Sequence, residues 1–326
     1  MVIRDNFGNK MGIQIVLLIL GFTVLIKGAD WLVNGSVSMA KKYNVSELVI
    51  GLTIVAFGTS APELVVSIIS SMKGFTDVTL GNAVGSNLFN LMFILGISGI
   101  IYPLVVKLET VWKEIPFSMI AALLLILMAN NFFIPSEKFM ISRLDGVILL
   151  LFFLGFMIYI FKQMKSTQEE LEAGYKMLRP AVSIVLLVAG LVSLIIGSRL
   201  VVDNAVKIAQ VLGASEKLIG VTIVSAGTSL PELVTSVVAA TKKKTDIAIG
   251  NIIGSNIFNI FLILGVSSVI APIPFNTSFN FDIALLIIST SLLFIFMFSG
   301  VKYKLDRWEA AILLLGYFGY VVYLLY

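Results

Sequence analysis

Ten apolar stretches, mostly about 15 to 30 residues long, run along the chain with short polar breaks between them. They cover residues 13–40, 45–72, 78–101, 115–129, 143–162, 180–211, 215–241, 246–270, 279–298 and 306–326. None alternates apolar with polar positions, as the strands of a membrane barrel would. The pattern predicts an all-α integral membrane protein with ten transmembrane helices. The first and sixth stretches approach 30 residues, so each is expected to be long or tilted. The short fourth has room to extend through Phe133. The first is too long for a secretory signal and lacks a small-residue cleavage pattern, so it is read as a span.

The pattern repeats. Residues 51–104 align without gaps on residues 220–273, a shift of 169, with 28 of 54 positions identical. The register holds upstream, placing Gly28 on Gly197 and Ser46-Glu47 on Ser215-Glu216. Equivalent stretches are five apart, and five is odd, so the two copies must enter the membrane in opposite directions. Inverted-topology repeats of this kind are the architecture of secondary transporters with a midplane site. The expected organisation is a five-helix repeat at 1–162, a polar cytoplasmic linker at 163–179 and a second five-helix repeat at 180–326. The linker holds Glu169, Glu170, Glu172, Lys176 and Arg179, and is read as a solvated connector.

Composition narrows the chemistry. Hydrophobic residues make up 58% and charged residues 13%, with mean hydropathy +1.03, which places the chain in a bilayer. There is no cysteine and no histidine, so any ion must be held by oxygen. The net charge of +4 adds little, and no basic stripe interleaved with aromatics suggests nucleic acid. Counting Lys and Arg in alternate breaks gives one rich side, with Lys41, Lys42, Lys242, Lys243 and Lys244 among fourteen, against six opposite. The rich side is expected to be cytoplasmic, with both termini extracellular. Trp31, Trp112 and Trp308 read as interface anchors.

Two carboxylates lie deep in apolar stretches, within Gly58-Thr59-Ser60-Ala61-Pro62-Glu63 and Gly227-Thr228-Ser229-Leu230-Pro231-Glu232. A buried ionisable group in a membrane is costly and marks function by default. Each Glu follows a Pro, which removes the N–H that the carbonyl of Gly58 or Gly227 would bond. The kink is expected to loosen the carbonyls of Ala56 and Ser225 as well. Thr59 and Glu63 share a helix face, and Ser60 is three residues from Glu63, so each motif offers a carboxylate, two hydroxyls and bare carbonyls.

The complement stands in the third and eighth stretches. Asn82, Ser86 and Asn90, and likewise Asn251, Ser255 and Asn259, recur every four residues as a polar stripe. Gly81, Gly85, Gly250 and Gly254 permit close helix approach beside the stripes. Asn82, Asn87, Asn251 and Asn256 read as interhelical glue, whereas Ser86, Asn90, Ser255 and Asn259 read as ligands because of the nearby carboxylates. Arg199 with Asp203, and Lys27 with Asp30, read as local salt bridges or interfacial snorkelling. Carboxylates, amides, hydroxyls and carbonyls suit Ca²⁺ and Na⁺ and disfavour zinc, copper, iron or anionic substrates.

At these residues the chain resembles the cation/Ca²⁺ exchanger superfamily, specifically prokaryotic Na⁺/Ca²⁺ exchangers. The resemblance rests on GTSAPE with GNAVGSNLFN, then GTSLPE with GNIIGSNIFN. It implies core helices broken near the middle, and sliding gate helices in the first and sixth spans. It implies that Glu63 and Glu232 are shared Ca²⁺ and Na⁺ ligands. Thr59, Ser60, Thr228 and Ser229 would line flanking Na⁺ sites, helped by Ser86 and Ser255 and by the carbonyls of Ala56 and Ser225. Asn90 and Asn259 would occupy the central polar positions. Some relatives, notably K⁺-dependent ones, carry Asp at the place of Asn259.

The expected function is secondary antiport of Na⁺ against Ca²⁺ by alternating access. No cofactor, catalytic residue or obligate protein partner is expected. A Ca²⁺/H⁺ or K⁺-dependent exchanger stands as the alternative, ahead of a cation channel and of an intramembrane enzyme.

Overall fold

The computed structural model describes residues 2–132, 139–164, 178–212 and 225–325. Their helices are α1 Val2–Tyr43, α2 Glu47–Thr59, α3 Ala61–Met72, α4 Thr76–Ile101, α5 Thr110–Ala129 and α6 Arg143–Met164. After residue 177 follow α7 Pro180–Val211, α8 Ser225–Thr228, α9 Leu230–Thr241, α10 Thr245–Ile270, α11 Phe279–Phe296 and α12 Arg307–Leu325. Among the described residues seven helices are long and apolar enough to cross a bilayer, and eight if α2 and α3 are one bent span. The seventh expected span is described only from Ser225 onward. The tenth is the 19-residue α12.

Local chemistry explains several ends. Ser46 caps α2 by accepting the Val49 N–H at 3.2 Å. Pro180 stands in the first turn of α7, where its missing N–H costs nothing. The fourth span grows backward to Thr110 rather than forward, and Phe133 lies outside the described residues. The first helix reaches back to Val2, well upstream of the apolar stretch.

Burial runs inside out relative to a water-soluble protein. Ile13, Val16, Leu151, Val185 and Leu315 are among many large apolar side chains left on the surface, which only a lipid solvent tolerates. In α10, 94% of the apolar window is buried and in α4 72%, against 17% in α1. So α4 and α10 form the middle of the molecule. Helices α1 and α7 cross one another at Gly28 and Gly190. A Cβ on Gly190 would stand 2.8 Å from the Gly28 carbonyl, so the crossing needs a residue without one.

Two ribbons of two residues each were not anticipated. Strand β1 (Leu104–Val105) pairs antiparallel with β4 (Lys304–Leu305), and β2 (Met140–Ile141) with β3 (Ile273–Pro274). Each ribbon ties a connection of the first half to one of the second. Runs so short carry no periodicity to read.

Candidate ion site

Each Pro-Glu motif starts a new helix. Helix α2 ends at Ser60, where the backbone turns to φ −81°, ψ 4°, and α3 follows at an angle of 47°. Pro62 and Glu63 fall in the first turn of α3, and Pro231 and Glu232 in that of α9. There the proline lacks an N–H that would have been unpaired anyway, and the positive helix end favours a carboxylate. Both carboxylates are 1% exposed, so bulk water does not solvate them.

The hydroxyls cross between the halves. Ser60 Oγ donates to Glu232 Oε1 at 2.9 Å, and Ser229 Oγ to Glu63 Oε1 at 2.9 Å. Ser255 stands 2.9 Å from Ser60, and Ser86 2.9 Å from Ser229. This corrects the expectation that Thr59 and Ser60 serve the carboxylate of their own motif. Thr59 Oγ1 instead meets Asn251 Oδ1 at 3.0 Å, and Thr228 Oγ1 meets Asn82 Oδ1 at 3.4 Å. The bend in the chain turns each serine toward the opposite half.

The carbonyl expectation also needs correction. Ala56 O is not bare: it accepts the Ser60 N–H at 3.0 Å and Thr59 Oγ1 at 3.3 Å. Ser225 opens α8, and the chain before it lies outside the described residues. The carbonyl of Gly227, freed by Pro231, accepts Ser198 Oγ at 2.7 Å. Ala29, the counterpart of Ser198, has no hydroxyl.

Asparagines build the floor. Asn82 Nδ2 donates to Glu63 O and Ser67 Oγ at 3.2 and 2.9 Å, and Asn251 Nδ2 to Glu232 O and Ser236 Oγ at 3.3 and 2.9 Å. Asn87 and Asn256 donate to one another's backbone carbonyls at 3.1 and 3.4 Å. They hold helices together, as read from the sequence. Their side-chain oxygens do more: Asn256 Oδ1 accepts Asn90 Nδ2 at 3.2 Å and Asn87 Oδ1 accepts Asn259 Nδ2 at 2.9 Å. An acceptor opposite each amide forces its nitrogen outward and its oxygen toward the site. Asn90 and Asn259 are the second residues of π-helical turns at Phe89–Ile94 and Phe258–Leu264, a distortion frequent at functional sites.

Among the described residues, four of the buried oxygens that these motifs supply have no hydrogen-bond partner: Glu63 Oε2, Glu232 Oε2, Asn90 Oδ1 and Asn259 Oδ1. Orphaned acceptors at this depth are costly, and carboxylate and amide oxygens are the donors that a hard cation takes. Among the described residues no group of three or more acidic residues gathers, so two carboxylates supply the negative charge. Sequence reasoning missed Ser67 and Ser236, which anchor the asparagines. Their signal was present, since they too are 169 apart.

Because Asn87 Oδ1 holds the Asn259 amide, Asn87→Ala is expected to weaken apparent Ca²⁺ affinity by about 10–100-fold, as loss of supporting contacts does at metal sites. Isothermal titration of purified protein checks this, and unchanged affinity would remove the orienting role.

The chain matches the family described as Sodium/calcium exchanger protein over residues 13–162 and 182–326. It is 32% identical to the sodium/calcium exchanger MaX1 of Methanosarcina acetivorans, over 96% of this chain and 99% of that one. It is 33% identical to the inner membrane protein YrbG of Escherichia coli, over 78% and 79%. Its fold matches that of the sodium-calcium exchanger NCX_Mj, soaked with zero Na⁺ and Ca²⁺, with TM-score 0.80 and 34% identity over 95% of this chain and 98% of that one.

Proposed function

The chain belongs to the sodium/calcium exchanger family, and from that premise we propose that it carries Ca²⁺ against Na⁺ through one shared site. It is a multi-pass membrane antiporter of the cation/Ca²⁺ class. The observation that carries the finer reading is the set of four orphaned oxygens, two carboxylate and two amide, related in pairs by the shift of 169 residues.

In this reading Ca²⁺ sits between Glu63 Oε2, Glu232 Oε2, Asn90 Oδ1 and Asn259 Oδ1. Its two charges cancel those of the carboxylates, so the filled site crosses an apolar barrier at lower cost than the empty one. Na⁺ occupies the flanks, where Ser60, Ser86, Ser229 and Ser255 give hydroxyl oxygens beside each carboxylate, with Thr59, Thr228 and the Ala56 and Ser225 carbonyls around them, the Ala56 carbonyl exchanging the Thr59 hydroxyl for the ion. Ca²⁺ and Na⁺ compete for the same two glutamates, and that competition couples their movements. The five-helix halves 1–162 and 180–326, joined by 163–179, exchange roles during transport. The Lys- and Arg-rich side faces the cytoplasm, so both termini face outward, as they would in a prokaryotic cell membrane.

Gradient-driven ⁴⁵Ca²⁺ uptake in proteoliposomes tests the reading. An opposed Na⁺ gradient is expected to drive uptake, whereas K⁺ or proton gradients are not. Acidification on both sides is expected to slow uptake, because protons compete for the carboxylates that bind the cations. Uptake driven by a proton gradient without Na⁺ would instead assign Ca²⁺/H⁺ exchange.

A further inference from the structure

The two faces of the molecule differ among the described residues. On one face, Lys242 at the end of α9 reaches α1: its Nζ lies 2.5 Å from Asp30 Oδ1 and donates to Asn34 Oδ1 at 2.8 Å. Asn34 Nδ2 completes the cluster by donating to Asp30 Oδ2 at 3.3 Å. This corrects the expected Lys27–Asp30 pair: Asp30 bonds across to another helix. On the opposite face, a cavity of about 290 Å³ separates α3 from α7, with Val65, Arg199, Asp203 and Thr228 in its wall. Arg199 and Asp203, read as a local salt bridge or as interfacial snorkelling, form no ion pair with each other or with any other described residue, and neither does Lys73.

The shift of 169 relates the two faces residue by residue. It places Lys73 on Lys242, Arg199 on Asp30 and Asp203 on Asn34. The backbone agrees. Lys73 ends α3 at φ −90°, ψ −3°, and Lys242 ends α9 at φ −85°, ψ 4°. Each is followed by a left-handed residue, Gly74 at φ 76° and Lys243 at φ 60°. One face therefore has a lysine closed on the crossing helix, and the other has its counterpart without an ion pair and a carboxylate, Asp203, in the wall of the cavity between α3 and α7.

We propose that Lys242 and Lys73 are alternate latches that position the gate helices α1 and α7. Lys242 closes α1 against α9 in the state described here. When the halves exchange conformations, that contact opens, the cavity collapses and Lys73 closes on Asp203. The carboxylate stands at the first of the two helix positions in one half and at the second in the other, one turn apart. Both lie on the face that a lysine at the end of the neighbouring helix reaches. The proposal rests on the alternating-access reading above.

The test does not need transport. The chain has no cysteine, so Val65→Cys in the cavity wall, or Val234→Cys at the equivalent place in the other half, is the sole thiol. Each is labelled in purified protein with a charged maleimide, alone and with Lys242→Gln or Lys73→Gln. Lys242→Gln is expected to raise labelling at Val234→Cys and lower it at Val65→Cys by about two- to fivefold, the range of a part-exposed ion pair. Lys73→Gln is expected to do the reverse. Lys242→Arg should leave both rates near those of the parent, and monodisperse elution excludes misfolding as the cause. Both glutamine variants shifting the reporters in one direction, or neither shifting them, would overturn the latches. Absent Na⁺-driven uptake in the parent, with the labelling pattern as expected, would instead reject only the choice of ions.

Discussion

Glu63→Gln and Glu232→Gln are each expected to abolish Na⁺-driven Ca²⁺ uptake while leaving the protein folded. Each carboxylate is fully enclosed and has one oxygen bonded to a serine of the opposite half and one oxygen free. Gln is nearly isosteric and keeps an acceptor for that serine, so the packing survives. It removes half of the negative charge facing the ion and turns one donor-free oxygen into an amide N–H₂ that repels a cation. A charge-assisted contact contributes about 1.5–3 kcal/mol even between hydrogen-bonded groups. At a divalent ion the loss is expected to exceed about 100-fold in affinity. The cleanest readout is thermal. Ca²⁺ that binds only the folded parent raises its melting temperature by mass action. Both variants should melt close to the Ca²⁺-free parent and show no rise with added Ca²⁺. Retained uptake in the double variant would refute the site.

The second large effect is expected at Gly254, one residue from Ser255. A Cβ there would lie 2.7 Å from Ala56 Cβ and 2.9 Å from Leu52 O, which is backbone and cannot rotate away. Gly254→Val must therefore push α10 from α2 and lengthen the 2.9 Å contact between Ser60 and Ser255. Overpacking of this kind costs about 1–3 kcal/mol in cores that can adjust, and more where backbone blocks the way. Loss of exchange with a markedly lower melting temperature is the expected result. Gly155 serves as the control, since a Cβ there meets nothing within 4 Å. Gly155→Ala should leave uptake intact and, by helix propensity, raise stability by up to about 1 kcal/mol. Equal damage from both substitutions would show that close packing at Gly254 is not the cause.

These two sites differ in how visible they were. Glu63 and Glu232 stood out because a carboxylate inside an apolar run is costly wherever the run sits. The importance of Gly254 was legible only as a small residue beside a polar stripe. That it abuts Leu52 and Ala56 depends on which helices meet. Hydropathy could not rank the helices either: α5 and α10 are almost equally apolar, yet less than half of the one and nearly all of the other is buried. A bilayer is as apolar as a protein core, so lipid-facing and central helices look alike in sequence.

Sequence alone determined the all-helical membrane class, the inverted halves, the two glutamates and the asparagine stripes. Each follows from local composition or from similarity at a fixed offset, and neither requires knowing what touches what. Tertiary structure decided the pairings. An offset of 169 says that Ser60 is equivalent to Ser229; it does not say that Ser60 serves Glu232 while Ser229 serves Glu63. Nor does it say that Asn87 and Asn256 hold the amide nitrogens of Asn259 and Asn90. It is equally silent on which of two equivalent lysines is closed. Equivalence is a property of the chain read against itself. Contact arises only when the two halves pack against each other.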